Sequence, residues 1–230
     1  MKHLELMAKD KNSVMYHVKD YALIDDKLIA SVDWPRSVPV LFFDFKPFRP
    51  SGGVLKHKVK GPYIVRCVFG GYGKSLKPAG KRLKNSPITA REPENLKEAL
   101  DITKKSIAAH AAADGRMYGR SFKAETKRYL AAFKKTRSVL LFKGDRNVGI
   151  ATLYDNRRWD GKPCSTITWL RLDRRLPKPQ YQDALYQATK WCVENCKETM
   201  AVFNHISEAE DHKFETAMGL RPYRINFRRK

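Results

Sequence analysis

Acidic residues are missing from one whole stretch of this 230-residue chain: none occurs between Asp44 and Glu92, where Lys and Arg together supply twelve positive charges. Long apolar runs are missing as well. No segment of about 18 consecutive apolar residues exists, so no membrane-spanning helix is expected. The opening MKHLELMAKDKN interrupts its apolar residues with charge where a secretory signal needs an unbroken core. Cysteine is scarce: four scattered thiols, Cys67, Cys164, Cys192 and Cys196, exclude a disulfide framework, and reduced thiols in a cytoplasm are the expectation. Gly 13 and Pro 12 are too few for a collagenous or low-complexity chain.

What is present is enough apolar residue to fold and a large surplus of positive charge. Hydrophobic residues make up 42%, and Lys plus Arg number 46 against 24 Asp plus Glu, a formal net charge of +22. Such a field attracts polyanions, so a nucleic acid or an acidic protein is the expected partner, with no membrane. Lys56, Lys58, Lys60, Lys74, Lys77, Lys81, Arg82 and Lys84 are the candidate nucleic-acid-binding residues. Phe42, Phe43, Phe45, Phe48, Tyr63, Phe69 and Tyr72 stand among the same cations, an interleaving that suits base stacking and equally suits an ordinary strand core.

Pro, Gly, Asn and Ser at short intervals make Lys74–Pro87 read as a basic linker, which predicts a basic β-rich region over 1–85 and a second domain over 86–230. In the first region, 38–45 and 63–69 read as strands. Beyond the boundary, Glu92, Pro93 and Glu94 open a helix that runs toward Gly115, and Ser121 starts a second. Strands follow at 138–143 and 148–154 around a four-residue turn, and at 165–172. A helix over 180–196, a strand over 200–204, a helix over 207–218 stopped by Gly219, and a strand over 222–227 complete the chain. The order α-α-β-β-β-α-β-α-β predicts an α/β fold of the α+β kind, a central mixed sheet flanked by helices.

Two motifs lead nowhere. VFGGYGKS at 68–75 lacks the first glycine of a phosphate loop, and Pro78 and Gly80 break the helix such a loop requires. Cys192 and Cys196 fall one helical turn apart beside Trp191 and Val193, which reads as a packed face, and no metal site is expected.

The succession over 92–230, the strand VGIATLY and the ending FETAMGLRPYRINFR resemble the GNAT superfamily, the Gcn5-related N-acyltransferases. The resemblance implies transfer of an acyl group from acetyl-CoA or another acyl-CoA to an amine. It implies a loop of pattern R/Q-x-x-G-x-G/A after the strand that ends at Leu172, where backbone N–H groups meet the cofactor's pyrophosphate. In this chain Pro177 stands at the Arg/Gln position and Gln180 and Gln182 at the two glycines, so charge from Arg174, Arg175 and Lys178, with Leu172 and Tyr181 beside them, would have to hold the phosphates. The family's helical tyrosine aligns with Phe214 and Glu215. Candidate catalytic residues are therefore Asp173 at the strand end, His205 after the next strand, Glu215, and Tyr223 as the nearest phenol; for Glu215 and His205 the plain alternative is a solvated surface group. The rival reading is a catalytically inactive fold that binds nucleic acid or protein through its basic surface.

Overall fold

A computed structural model describes residues 4–9, 13–18, 38–42, 63–113, 135–158, 160–204 and 213–229. The chain divides into two compact units: residues Met1–Ser75 together with Ala201–Lys230, and residues Leu76–Met200. A division at 85/86 falls inside the second unit, and neither end of the chain forms a unit alone.

In the first unit, β1 (Leu4–Lys9) pairs antiparallel with β2 (Ser13–Val18), and β2 pairs parallel with β3 (Val38–Phe42). The C-terminal strand, β10 (Arg221–Arg229), runs antiparallel to β3 on one side and to β4 (Tyr63–Tyr72) on the other. Strands from opposite ends of the sequence therefore interleave, and β9 (Thr199–Asn204), most of which belongs to this unit, lies on the far side of β4. One parallel pair among antiparallel neighbours makes this sheet mixed.

The short helix α3 (Lys213–Ala217) ends where the glycine signal places its stop: Gly219 has φ +79°, Leu220 N–H bonds Glu215 O at 2.8 Å, and Gly219 N–H bonds Thr216 O at 3.0 Å. Left-handed backbone at a helix end favours glycine because a Cβ would crowd the next carbonyl.

The second unit is an antiparallel meander with helices. β5 (Ile88–Arg91), β6 (Thr136–Lys143), β7 (Arg146–Arg157) and β8 (Pro163–Leu172) pair in sequence order. Lys143 pairs with Arg146, so the β6–β7 turn is the two residues Gly144 and Asp145 rather than four, with Gly144 at φ +57°. Leu140, Leu141, Ile150 and Leu153 are fully buried, and six successive residues from Val148 to Leu153 are buried without alternation. Such a run marks strands covered on both faces. Helix α1 (Leu96–Ala113) contacts β7, and helix α2 (Lys178–Asn195) packs across β5 to β8 through Ala184, Ala188 and Cys192. The second helix expected from Ser121 lies outside the described residues. No helix among them is long and apolar enough to cross a membrane.

The segment read as a linker is packed. Leu76 and Ala79 are buried, and residues 76–87 form a strap along α2. Thr189 Oγ1 accepts Ala79 N–H at 2.9 Å, Gln182 O accepts Lys81 N–H at 3.1 Å, and Asp183 Oδ1 accepts Leu83 N–H at 2.9 Å. Asp183, fully buried, also accepts a short bond from Ser86 Oγ and one from Gln187 Nε2 at 2.9 Å. The Pro and Gly that suggested mobility let the strap lie flat: a Cβ on Gly80, which has φ +90°, would stand 2.3 Å from Gln182 O and 2.8 Å from Tyr186 N. Both atoms are backbone and cannot yield. Gly80→Ala is therefore expected to destabilise the protein by about 2 kcal/mol or more, read as a lowered urea midpoint, because clash and disallowed φ add. An unchanged midpoint would show that the strap does not sit on α2.

Candidate functional site

The resemblance directs attention to the end of β8 and the start of α2. Strand β8 closes with buried Leu172; Asp173 N–H then bonds Val148 O at 2.8 Å and Leu176 N–H bonds Asp173 O at 3.2 Å, a tight turn that delivers the chain to the helix. Pro177 is the residue before the helix, at φ −52° and ψ 143°, and Pro179 lies in its first turn. Lys178 begins the helix, two residues earlier than expected, so Gln180, Tyr181 and Gln182 are helical, each half-buried.

The first-turn N–H groups of a helix have no intrahelical acceptor. Pro179 has none to offer, and Tyr181 N–H already bonds Pro177 O at 2.9 Å, which leaves those of Lys178 and Gln180 facing forward. No acidic residue sits in this first turn, so the positive end of the helix dipole is not neutralised from within. Gln182 is turned to a different task, its carbonyl receiving the strap. The Gln180 side chain accepts a hydrogen bond from Lys143 Nζ at 3.0 Å.

Asp173 is held by two arginines. Its Oδ1 accepts Arg175 N–H and Nε, each at 3.0 Å, while Oδ2 accepts Arg175 Nη2 at 3.1 Å and Arg146 Nη2 at 2.5 Å. The Arg175 hydrogen bonds lead in lowering its carboxyl pKa to about 2, against a smaller opposing effect of burial. A carboxylate so stabilised has little affinity for a proton near neutrality, and its bonds to Arg175 and Arg146 fix the turn. Arg175 and Arg146 are occupied by it. Arg174 and Lys178, both exposed, make no ion pair among the described residues.

A second feature lies midway along β8. Thr152 pairs with Trp169 and Leu153 with Ile167, so Thr168 has no residue opposite it. A bulge of this kind takes one residue out of the hydrogen-bonding ladder. The Thr152 and Thr168 hydroxyls are 2.9 Å apart, and Trp169 Nε1 donates to Ser106 Oγ on α1 at 3.2 Å. Arg146, Lys143 and this bulge were not anticipated from sequence; hairpin register brings Arg146 to Asp173 and Lys143 to Gln180 across 27 and 37 positions and sets the bulge against β7, and no local signal carries that.

The remaining candidates fall elsewhere. Glu215 is buried, 2% exposed, in α3 of the first unit, which overturns its reading as a solvated carboxylate. Tyr223 lies in β10 where the register with β4 shifts between Pro222 and Arg224. His205, Lys56, Lys58 and Lys60 lie outside the described residues. Lys74 is exposed in the first unit, and Lys77, Lys81, Arg82 and Lys84 are exposed on the strap of the second. Cys192 is fully buried, and burial pushes its thiol pKa up, as expected of a packing residue. No helix follows Ser75, so the Gly-Lys-Ser turn is no phosphate loop.

No family model matches the chain, and no curated protein matches it. Among solved structures it is similar to a functionally unknown conserved protein from Staphylococcus epidermidis, at 11% identity and a TM-score of 0.50 over 94% of this chain and 83% of that one. It is also similar to a GCN5-related N-acetyltransferase from Kribbella flavida, at 12% identity and a TM-score of 0.45 over 94% and 80% of the two chains. A third is the C-terminal DUF2156 domain of a putative lysylphosphatidylglycerol synthetase from Agrobacterium fabrum, at 11% identity and a TM-score of 0.44 over 99% and 85%. At these identities the likeness is one of fold. The expected mixed α/β architecture with flanking helices is the one observed.

Because the Asp173 carboxyl is lowered to about 2, its contribution to stability is complete above the ordinary carboxylate value of about 3.9 and is lost as pH falls through that interval. The gap in urea midpoint between the wild type and Asp173→Asn should therefore be widest near neutral pH and narrow on acidification. A gap independent of pH would contradict the ion-paired turn.

Proposed function

We propose that this protein is a GNAT-like N-acyltransferase that moves an acyl group from coenzyme A to an amine. The observation that carries the reading is the junction of β8 and α2: an unneutralised helix N-terminus with two unengaged cations, one bulge upstream of it on the same strand, within the element order the resemblance implies. The residues suit a diphosphate in charge and differ from a glycine cradle in means. Arg174 and Lys178 would hold the phosphate oxygens, helped by the N–H groups of Lys178 and Gln180. Bound acyl-CoA would supply a thioester carbonyl for attack by an amine.

The chain's own part is positioning and polarisation. The Thr168 bulge offers backbone outside the ladder, and an N–H aimed there at a developing oxyanion lowers the barrier most where water is excluded. The ion-paired Asp173 keeps the turn rigid, so Arg174 and Lys178, which follow it, hold their places. Cys164, Cys192 and Cys196 are free thiols, which suits the cytoplasmic location that acyl-CoA chemistry implies.

One observation favours the rival, a catalytically inactive fold acting as a binding module: Pro179 removes an N–H from the first turn, and a glutamine, Gln180, held by Lys143, stands where a glycine would leave the backbone open. Calorimetric titration with acetyl-CoA separates the two. The acyltransferase reading expects heat and a thermal shift, with affinity lowered about tenfold in Arg174→Ala/Lys178→Ala, as for loss of charge-assisted bonds to phosphate. No heat and no shift at millimolar acetyl-CoA would leave only the rival.

A further inference from the structure

The strap does more than cover α2, because between them runs a groove of about 420 Å³. Arg82, Lys84 and Ser86 line it from the strap, and Tyr186, Lys190, Trp191 and Glu194 line it from α2. It is separate from the α2 N-terminus: these helix residues belong to the third turn and beyond, while the candidate diphosphate site uses the first.

Three features decide what suits it. First, the walls are held fixed, since the strap is bonded to Thr189, Gln182 and Asp183 at three successive points, so its cations stand on an ordered track. Second, the charge is unbalanced. Lys190 is bridged to Glu194 at 3.0 Å, but Arg82 and Lys84 make no ion pair among the described residues. Third, the helix wall carries two aromatic rings, and Glu92 Oε1 accepts the Trp191 indole N–H at 3.2 Å, fixing that ring's orientation. Cations alone fit any polyanion; cations and aromatic rings lining one groove the size of a nucleotide fit phosphates carrying planar bases.

We propose that this groove binds single-stranded nucleic acid, with Arg82 and Lys84 on successive phosphates and one base against Trp191 and Tyr186. Lys81 and Lys77, exposed farther along the strap, extend the phosphate track beyond the groove. The proposal is independent of acyl transfer, for it uses no residue of the α2 N-terminus.

The test is fluorescence anisotropy of the full chain with a labelled oligothymidylate across a salt series. Each single-strand phosphate contact contributes about 0.7 to the log–log salt slope, so Arg82→Ala/Lys84→Ala should lower the slope by about 1.4 and weaken binding about tenfold. Lys135→Ala/Lys162→Ala removes two exposed charges outside the groove and serves as the control. Trp191→Ala should weaken binding about tenfold at fixed salt with the slope unchanged, as loss of one stacked base does, and Trp191→Phe should restore most of it. Acetyl-CoA titration of the strap variant should match wild type, which keeps failure of this site distinct from failure of the catalytic one. The proposal is overturned if the strap variant loses no more than the control, if Trp191→Phe is as weak as Trp191→Ala, or if poly-glutamate binds as tightly as the oligonucleotide.

Discussion

The second unit depends on one buried carboxylate. Asp183, on the second turn of α2, has no exposed surface and receives Leu83 N–H, Ser86 Oγ and Gln187 Nε2 together. A buried acidic group is stable only when its oxygens are satisfied, and here the satisfaction comes largely from the strap. Strap and helix are thereby made one body. With the strap on its outer side and Ala184, Ala188 and Cys192 against the sheet, α2 cannot rotate without exposing one set or orphaning the other. Its first turn is consequently held at the end of β8, and its later turns are held opposite Arg82 and Lys84.

The two anion sites proposed on this one helix use different physics. At the N-terminus, the helix dipole and two forward N–H groups act over a few ångströms, and the local cations are rationed by Asp173, which engages Arg146 and Arg175 and leaves Arg174 and Lys178 to solvent. Along the side of the helix no dipole is available, and attraction must come from side-chain charge and ring faces. The acid-free stretch between Asp44 and Glu92 makes sense in these terms: a carboxylate on the strap at 82 or 84 would close an ion pair with its neighbour and cancel the field over the groove.

What was legible in the sequence was local. Three of the meander's four strands, β6 to β8, with α2 and the stop at Gly219, follow from period, β-branched runs and glycine placement and are observed within a few residues; β5, just past the stretch read as a linker, was not expected. What was not legible was set by contacts distant along the chain. Lys74–Pro87 has the composition of a linker, yet its conformation is decided by Thr189 and Asp183 about a hundred residues later. The place of β4 between β10 and β9 depends on pairing with the last residues of the chain, which no window on either segment reveals. Asp173 looked like a strand-end acid of catalytic kind because sequence shows the carboxylate and not Arg146 arriving across the hairpin. Glu215 looked solvated because a five-residue helix is too short for periodicity to tell its buried side.

The account stands on the α2 N-terminus receiving a diphosphate through side-chain cations in place of a glycine loop. A crystal structure of the full chain grown with coenzyme A tests that directly. The account expects the diphosphate within hydrogen-bonding distance of the Lys178 and Gln180 N–H groups, with Arg174 or Lys178 on its oxygens and the pantetheine arm running toward the Thr168 bulge. A cofactor seated elsewhere on the molecule, or a first turn of α2 closed over by Gln180 at saturating ligand, would contradict it.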